Sequence, residues 1–250
     1  MTEQLSPLQT WWNGVVAEFD LNFIQKDRWR SLVTGLGNTL QITAIALCIG
    51  IVIGVLVAAV RATWDTSISE SPKSFGRSLM GVLNSVCKLY TTVIRGTPMV
   101  IQLLILYYVV FASSSNGLMV AALSFGINSG AYVSEIIRGG IMAVDKGQME
   151  AGYSLGMNYT QTMWYVIAPQ VFKSSLPTLA NEFIVLLKET SVAGYAAVHD
   201  LTYAGNRIRG VTYSAFMPLI AVALIYLVLV VGLTKLVSIM EKRLRQSDGR

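Results

Sequence analysis

The chemistry open to this chain rests on a few ionisable side chains set in long apolar stretches. Glu182 lies about seven residues into the run 176–198, roughly 10 Å deep at 1.5 Å per residue, with no basic residue three or four positions away. A charge at membrane depth is expensive and ordinarily faces a cavity or a partner. An ammonium group or a cationic side chain would suit Glu182; a protonated or paired structural carboxyl is the other reading. Lys188 and Glu189 are adjacent and point to different faces, so each either pairs with another helix or lines an outer vestibule. Glu135 and Arg138, three apart, fit a structural ion pair.

Covalent and metal chemistry have little to stand on. His199 is the single histidine, and Cys48 and Cys87 sit in or beside apolar segments. That usage suggests neither a disulfide framework nor a metal site. The nucleophile–base constellation an enzyme needs is missing. So is the Gly-rich sequence ending in Gly-Lys-Ser/Thr that cradles nucleotide phosphates. No cofactor is expected in the chain. The basic residues form no stripe with interleaved aromatics, which argues against nucleic-acid binding.

The elements that must position these charges are helices. Hydrophobic residues make up 53% of the 250 and charged ones 13%, against about 25% charged in soluble domains. An all-α polytopic membrane protein is the expected class. Five runs are candidates for spans: 40–60, 97–112, 118–137, 176–198 and 215–236, the second opening on Pro98 in its first turn. Gly50 with Gly54, and Gly126 with Gly130, give small-residue faces that let helices pack closely. Residues 1–31 read as an amphipathic segment rich in tryptophan, lying at the bilayer interface or packed on the bundle. They lack the basic start and uninterrupted apolar core of a cleavable signal. Residues 32–240 then form the membrane domain and 241–250 a basic tail.

Between the third and fourth spans lies a polar island, DKGQMEAGYSLGMNYTQTMWYVIAP, at 145–169. Asp145 with Gln148, and Asn158 with Gln161, have capping-box spacing, so the island reads as two short helices. Gln148, Ala151, Gly152 and Leu155 share a face of small groups that another surface could approach. Gly156 is placed to end the first helix in the left-handed conformation. Tyr159, Met163, Val166 and Ile167 form the apolar stripe of the second, which Pro169 closes. With the amino terminus outside, twelve Lys and Arg fall on inside segments and five on outside ones, Arg95 and Lys188 staying in the spans. The island and the carboxy terminus are then cytoplasmic.

At these residues the chain resembles the cytoplasmic loop of bacterial ABC importer permeases, with the pattern Glu-Ala-Ala…Gly…Ile…Leu-Pro. The matching positions are Glu150, Ala151, Gly152, Gly156, Val166, Ala168 and Pro169, and Gly152, Val166 and Ala168 depart conservatively. Gly152 in place of alanine loosens its helix by about 1 kcal/mol. Three further stretches, VIRGTPMVIQLLILYY, INSGAYVSEIIRGGI and LPTLANEFIVLLKETSV, make the chain similar to the histidine/glutamine/glutamate group of polar amino acid uptake permeases over roughly 32–240. The resemblance implies a five-span type I importer permease in the bacterial plasma (inner) membrane. It further implies a second permease subunit, identical or a close relative, and two copies of an ATPase that binds ATP and Mg. An external binding protein would deliver a polar amino acid. Glu150, Ala151, Gly152, Leu155 and Gly156 would then couple the ATPase to the spans. Asn128, Ser129, Tyr132 and Glu182 would fall in the region that lines the transport cavity. A secondary transporter would more often show inverted repeats, and no internal repeat is evident.

Overall fold

The computed structural model describes residues 6–68, 72 and 74–246. Residues 1–5 of the expected amphipathic segment and 247–250 of the basic tail lie outside the described residues. Ten α-helices follow one another: α1 (Pro7–Phe19), α2 (Trp29–Thr63), α3 (Phe75–Gly96), α4 (Met99–Ile105), α5 (Gly117–Ala143), α6 (Lys146–Ser154), α7 (Tyr159–Thr162), α8 (Ala168–Glu189), α9 (Leu201–Thr212) and α10 (Phe216–Gln246). No strand occurs among the described residues.

Three of these stretches are individually long and apolar enough to cross a bilayer: Trp29–Thr66, Gly117–Ala143 and Phe216–Leu244. The outward faces of the last are apolar, with Leu224, Leu227 and Val228 all more than half exposed. The second expected span is redrawn. Residues 97–112 hold only α4 and a π turn, Leu106–Val110, too short for a hydrocarbon core of about 30 Å. The preceding α3 is a 22-residue helix, and the two meet at a bend of 109°. Pro98 makes the corner. It caps α4 from outside the helix rather than starting its first turn, and it holds Thr97 in an extended conformation, as prolines do to the residue before them.

Other boundaries shift for equally local reasons. α2 starts at Trp29, well before residue 40, because its first turns have a partner: Gly35 lies against the Asp200 carbonyl, and Thr39 Oγ1 accepts from the Leu201 amide at 3.1 Å. Pro169 does not end a helix; the π turn Met163–Ile167 runs without a break into α8, in whose first turn Pro169 sits. α8 stops at Glu189, and 190–196 tighten into a 3₁₀ turn that ends on left-handed Ala197 (φ 54°). α1 buries no residue, and Trp11 and Trp12 are 64% and 59% exposed, while at its end the Glu18 carboxylate accepts from the Ser214 hydroxyl at 2.6 Å.

The two small-residue faces meet each other. Gly50 lies against Ser129 and Gly130, Gly54 against Val133, and Gly126 against Ile49. A Cβ on Gly54 would stand 2.4 Å from a Val133 methyl carbon, so α2 and α5 run parallel in close contact. In lipid, such packing replaces the hydrophobic drive that binds helices in water. Fully buried Ile42, Leu103, Phe125 and Leu186 bring α2, α4, α5 and α8 together. One end of the molecule therefore gathers the start of α2 and 190–215, and the α3–α4 corner meets α5 near its middle, at Asn128. The other end gathers the end of α2, the polar island and the end of α10.

Candidate functional site

Midway along the bundle a charged cluster forms between three helices. Glu182 of α8 is partly buried and comes close to the Ser129 hydroxyl of α5, although the two complete no hydrogen bond of full geometry. Arg95, in the last turn of α3, lies within electrostatic reach of Glu182, and so does Glu189. The Arg95 guanidinium sits 5.3 Å from the centroid of the Tyr132 ring, a cation–π contact worth about 0.5–1 kcal/mol where exposed. No ion pair within 4 Å joins Arg95 to Glu182. Two carboxylates on one side and a guanidinium on the other, held apart, match the two ends of a zwitterion.

Arg95 was invisible as the partner of Glu182 because it comes from another helix, 87 positions earlier in the chain. Of the polar neighbours expected on α5, Tyr132 and Ser129 join the cluster. Asn128 does not: it is buried, and its amide donates to Gln102 Oε1 on α4 at 3.0 Å.

One turn further along α5, towards the end that carries the polar island, Glu135 and Arg138 belong to a larger network than a pair. Arg61 of α2 bonds Glu135 and reaches Thr91 Oγ1 of α3 at 3.3 Å. Arg138 bonds Asp65 at 2.8 Å and Glu135 at 3.4 Å. All four charged side chains are less than 30% exposed. The network ties the ends of α2 and α5, and removing Glu135 or Arg138 would leave Arg61 or Asp65, respectively, partly buried without its ion-pair partner.

The polar island folds as a helical hairpin on that same end. Asp145 caps α6 by accepting from Gly147 N at 2.7 Å, not from Gln148 as a capping box would require. Asn158 and Gln161 do form a reciprocal box. Gly156 has φ +81°, and the amides of Gly156 and Met157 return to the carbonyls of Tyr153 (2.9 Å) and Gly152 (3.1 Å). That is the Schellman closure of a helix. Gly152 is buried: a Cβ there would stand 2.5 Å from a Thr162 methyl carbon. The small face is thus used inside the hairpin, with fully buried Thr162 filling the space alanine would take. Glu150, Ala151, Leu155 and Gly156 remain exposed, Leu155 at 82%. Tyr159 fastens the hairpin to α2, its hydroxyl lying 3.0 Å from Thr66 Oγ1 and 3.4 Å from Thr63 Oγ1. Among the described residues no group of His, Cys, Asp and Glu could hold a metal ion.

Apolar helices with a charged cluster midway along them and a polar hairpin at one end have the build of a transport subunit. Residues 74–246 match the model of the family described as binding-protein-dependent transport system inner membrane component. The chain is 36% identical over 216 residues to a putative glutamine transport system permease protein of Rickettsia bellii, covering 85% of this chain and 92% of that one. It is 33% identical over 220 residues to the arginine transport system permease protein of Bacillus subtilis (87% and 94% covered). A solved amino acid ABC transporter superposes with TM-score 0.76 at 38% identity, over 88% of this chain and 98% of that one. A methionine ABC transporter shares the fold at TM-score 0.72 and 19% identity, with 86% and 96% covered. The chain belongs to this family of inner membrane transport components, and within it to the permease subunits of polar amino acid ABC importers.

Proposed function

We propose that this permease crosses the membrane five times, through α2, α3, α5, α8 and α10, with its amino terminus outside. α8 is included although it carries Lys173, Glu182, Lys188 and Glu189, because a permease must bring charge to its pathway and accepts the cost there. With α3 taken as the second span, Lys88 moves into it and Arg95 to its outer end. The balance of Lys and Arg is then eleven inside to six outside, which still puts the hairpin in the cytoplasm. α6 then acts as the coupling helix, its exposed Glu150, Ala151 and Leu155 resting on a separate ATPase subunit that binds ATP and Mg. Gly152 acts from inside the hairpin and Gly156 by shaping its turn. Two permease subunits, identical or closely related, would sit on two ATPase copies, and an external binding protein would supply the amino acid. Relatives named for glutamine, arginine and cystine transport support a polar amino acid as cargo.

The observation that carries this reading is the separation of the two sites along the bundle: a split-charge cluster midway along it and a closed helical hairpin at one end. Glu182 with Ser129 would hold the ammonium of the amino acid, Arg95 and Tyr132 its carboxylate, and Asn128 would support the site from behind. The test is ATP hydrolysis by the permease–ATPase complex in proteoliposomes, with its binding protein, across L-glutamine, L-arginine, L-cystine and L-histidine. At least one should stimulate hydrolysis and accumulate; no stimulation by any polar amino acid would sink the reading.

Orientation has its own check. Cys48 and Cys87 are first replaced; single cysteines then go to Ser114, in the tight connection before α5, and Thr160, on the exposed side of α7. Ser114→Cys should react with an impermeant thiol reagent in intact cells, and Thr160→Cys only after permeabilisation. The opposite pattern would overturn the topology and the ATPase contact together.

A further inference from the structure

We infer that Gln102 is a positioning residue for transport, a latch that locks the α3–α4 corner onto α5 and so fixes Arg95 over Tyr132. The inference rests on the reading of Arg95 and Glu182 as substrate contacts. A helix that continued past Gly96 would satisfy the Ile94 carbonyl with the amide of residue 98, but that residue is Pro98 and has no N–H. Gln102, one turn into α4, supplies the missing donor. Its Nε2 donates to the Ile94 carbonyl at 2.7 Å, to Thr97 Oγ1 at 2.7 Å and to the Thr97 carbonyl at 3.1 Å. Carbonyl oxygens accept and never donate, so the orientation of the Gln102 amide is fixed by these partners. Its Oε1 is left facing α5, where Asn128 Nδ2 donates to it at 3.0 Å.

The bonded carbonyls belong to Ile94 and Thr97, which bracket Arg95. Asn128 stands one helical turn before Tyr132 on the same face of α5. The latch and the Arg95–Tyr132 contact are therefore neighbouring rungs between the same two walls. Releasing the latch frees the corner, and the guanidinium loses its fixed place opposite Glu182. Gln102 itself carries no charge and its polar atoms are consumed by the latch, so it acts through Arg95 rather than on the substrate.

A double-mutant cycle in the permease–ATPase complex, held in nanodiscs without the binding protein, tests this. The readout is equilibrium binding of whichever of radiolabelled L-glutamine, L-arginine or L-cystine the wild-type complex carries. Gln102→Leu, which keeps bulk and removes all four bonds, should weaken binding about tenfold, as displaced contact groups do. Arg95→Met should weaken it at least as much, and the double variant should be no weaker than Arg95→Met alone, because the two act as one unit. Asn128→Ala cuts the latch from the α5 side and should give the same shift, again absent in the Arg95→Met background. It serves equally if Gln102→Leu fails to assemble. Losses that multiply in the double variants, or latch variants that bind normally, would overturn the positioning role. Normal binding by Arg95→Met would instead overturn the site on which it rests, so the two failures are told apart.

Discussion

Gly156→Val is expected to abolish coupled transport while the permease still inserts in the membrane. At φ +81° a side chain is strained whatever space surrounds it, and a Cβ at Gly156 meets nothing within 4 Å. The substitution therefore tests backbone conformation alone. Strain of this kind costs on the order of 1–3 kcal/mol, and a β-branched residue sits at the unfavourable end. The chain can relieve it only by opening the turn, which breaks the bonds from Gly156 N to Tyr153 O and from Met157 N to Gly152 O. Exposed Glu150, Ala151 and Leu155 then lose their fixed relation to α7, and through Tyr159 to α2. Amino acid-dependent ATP hydrolysis in proteoliposomes should fall more than tenfold, with yield of the permease alone unchanged. Gly156→Asn, which tolerates left-handed backbone, should retain most of the activity. Full coupling by the valine variant would remove the hairpin from the transmission of motion.

The contrast between valine and asparagine matters because the hairpin is anchored at its other end to the bundle. Tyr159 meets Thr63 and Thr66 where α2 ends, and one turn away Arg61 and Asp65 bind Glu135 and Arg138 of α5. α2 and α5 are also in glycine contact along their length. On the proposed reading, a force applied to α6 would reach two helices packed closely together, and α5 carries Ser129 and Tyr132 within two turns of Glu135 and Arg138. Displacement of packed, bistable elements of this sort is how small local shifts become large ones.

Helical class, the hairpin and its left-handed glycine were legible from the sequence because each depends on neighbours a few residues away. Capping residues, glycine at a helix end and small residues four apart all act locally. The α3–α4 corner was missed for the opposite reason. RGTP was read as the start of a span, and only the tertiary bond from Gln102 to Ile94 shows that the proline ends one helix and turns the next by 109°. Thr162 likewise gave no signal: a threonine inside a polar helix looks like surface until the glycine opposite is known. Arg95 with Glu182, and Arg61 with Glu135, join residues far apart in the chain, and charge pairing across helices has no sequence period. Asn128 was grouped with Ser129 and Tyr132 by the resemblance, which implies that this part of α5 lines a cavity. Its amide instead turns to α4, since a buried amide goes where a partner waits.

Glu182→Gln is the second large effect expected, and it separates a substrate contact from a structural charge. The variant keeps shape and removes the carboxylate. If Glu182 holds the substrate ammonium, one charge-assisted hydrogen bond is lost, typically about 1.5–3 kcal/mol, or roughly ten- to a hundredfold in affinity of the permease–ATPase complex for the amino acid. Assembly should survive, because the substitution leaves the hairpin untouched and no ion pair within 4 Å depends on Glu182. A structural Glu182 predicts the reverse, poor complex yield with normal affinity in what assembles. Binding measured in nanodiscs beside complex yield decides between them. Full affinity with full yield would end the role of Glu182 in substrate binding. Arg95 sharpens the result, since it lies across the cluster and would face the carboxylate. An amino acid amide, which lacks that carboxylate, should be insensitive to Arg95→Met yet still lose affinity with Glu182→Gln. The corresponding deaminated acid should behave in the opposite way. Were both analogues to respond alike to both substitutions, the two charges would not be reading opposite ends of one ligand.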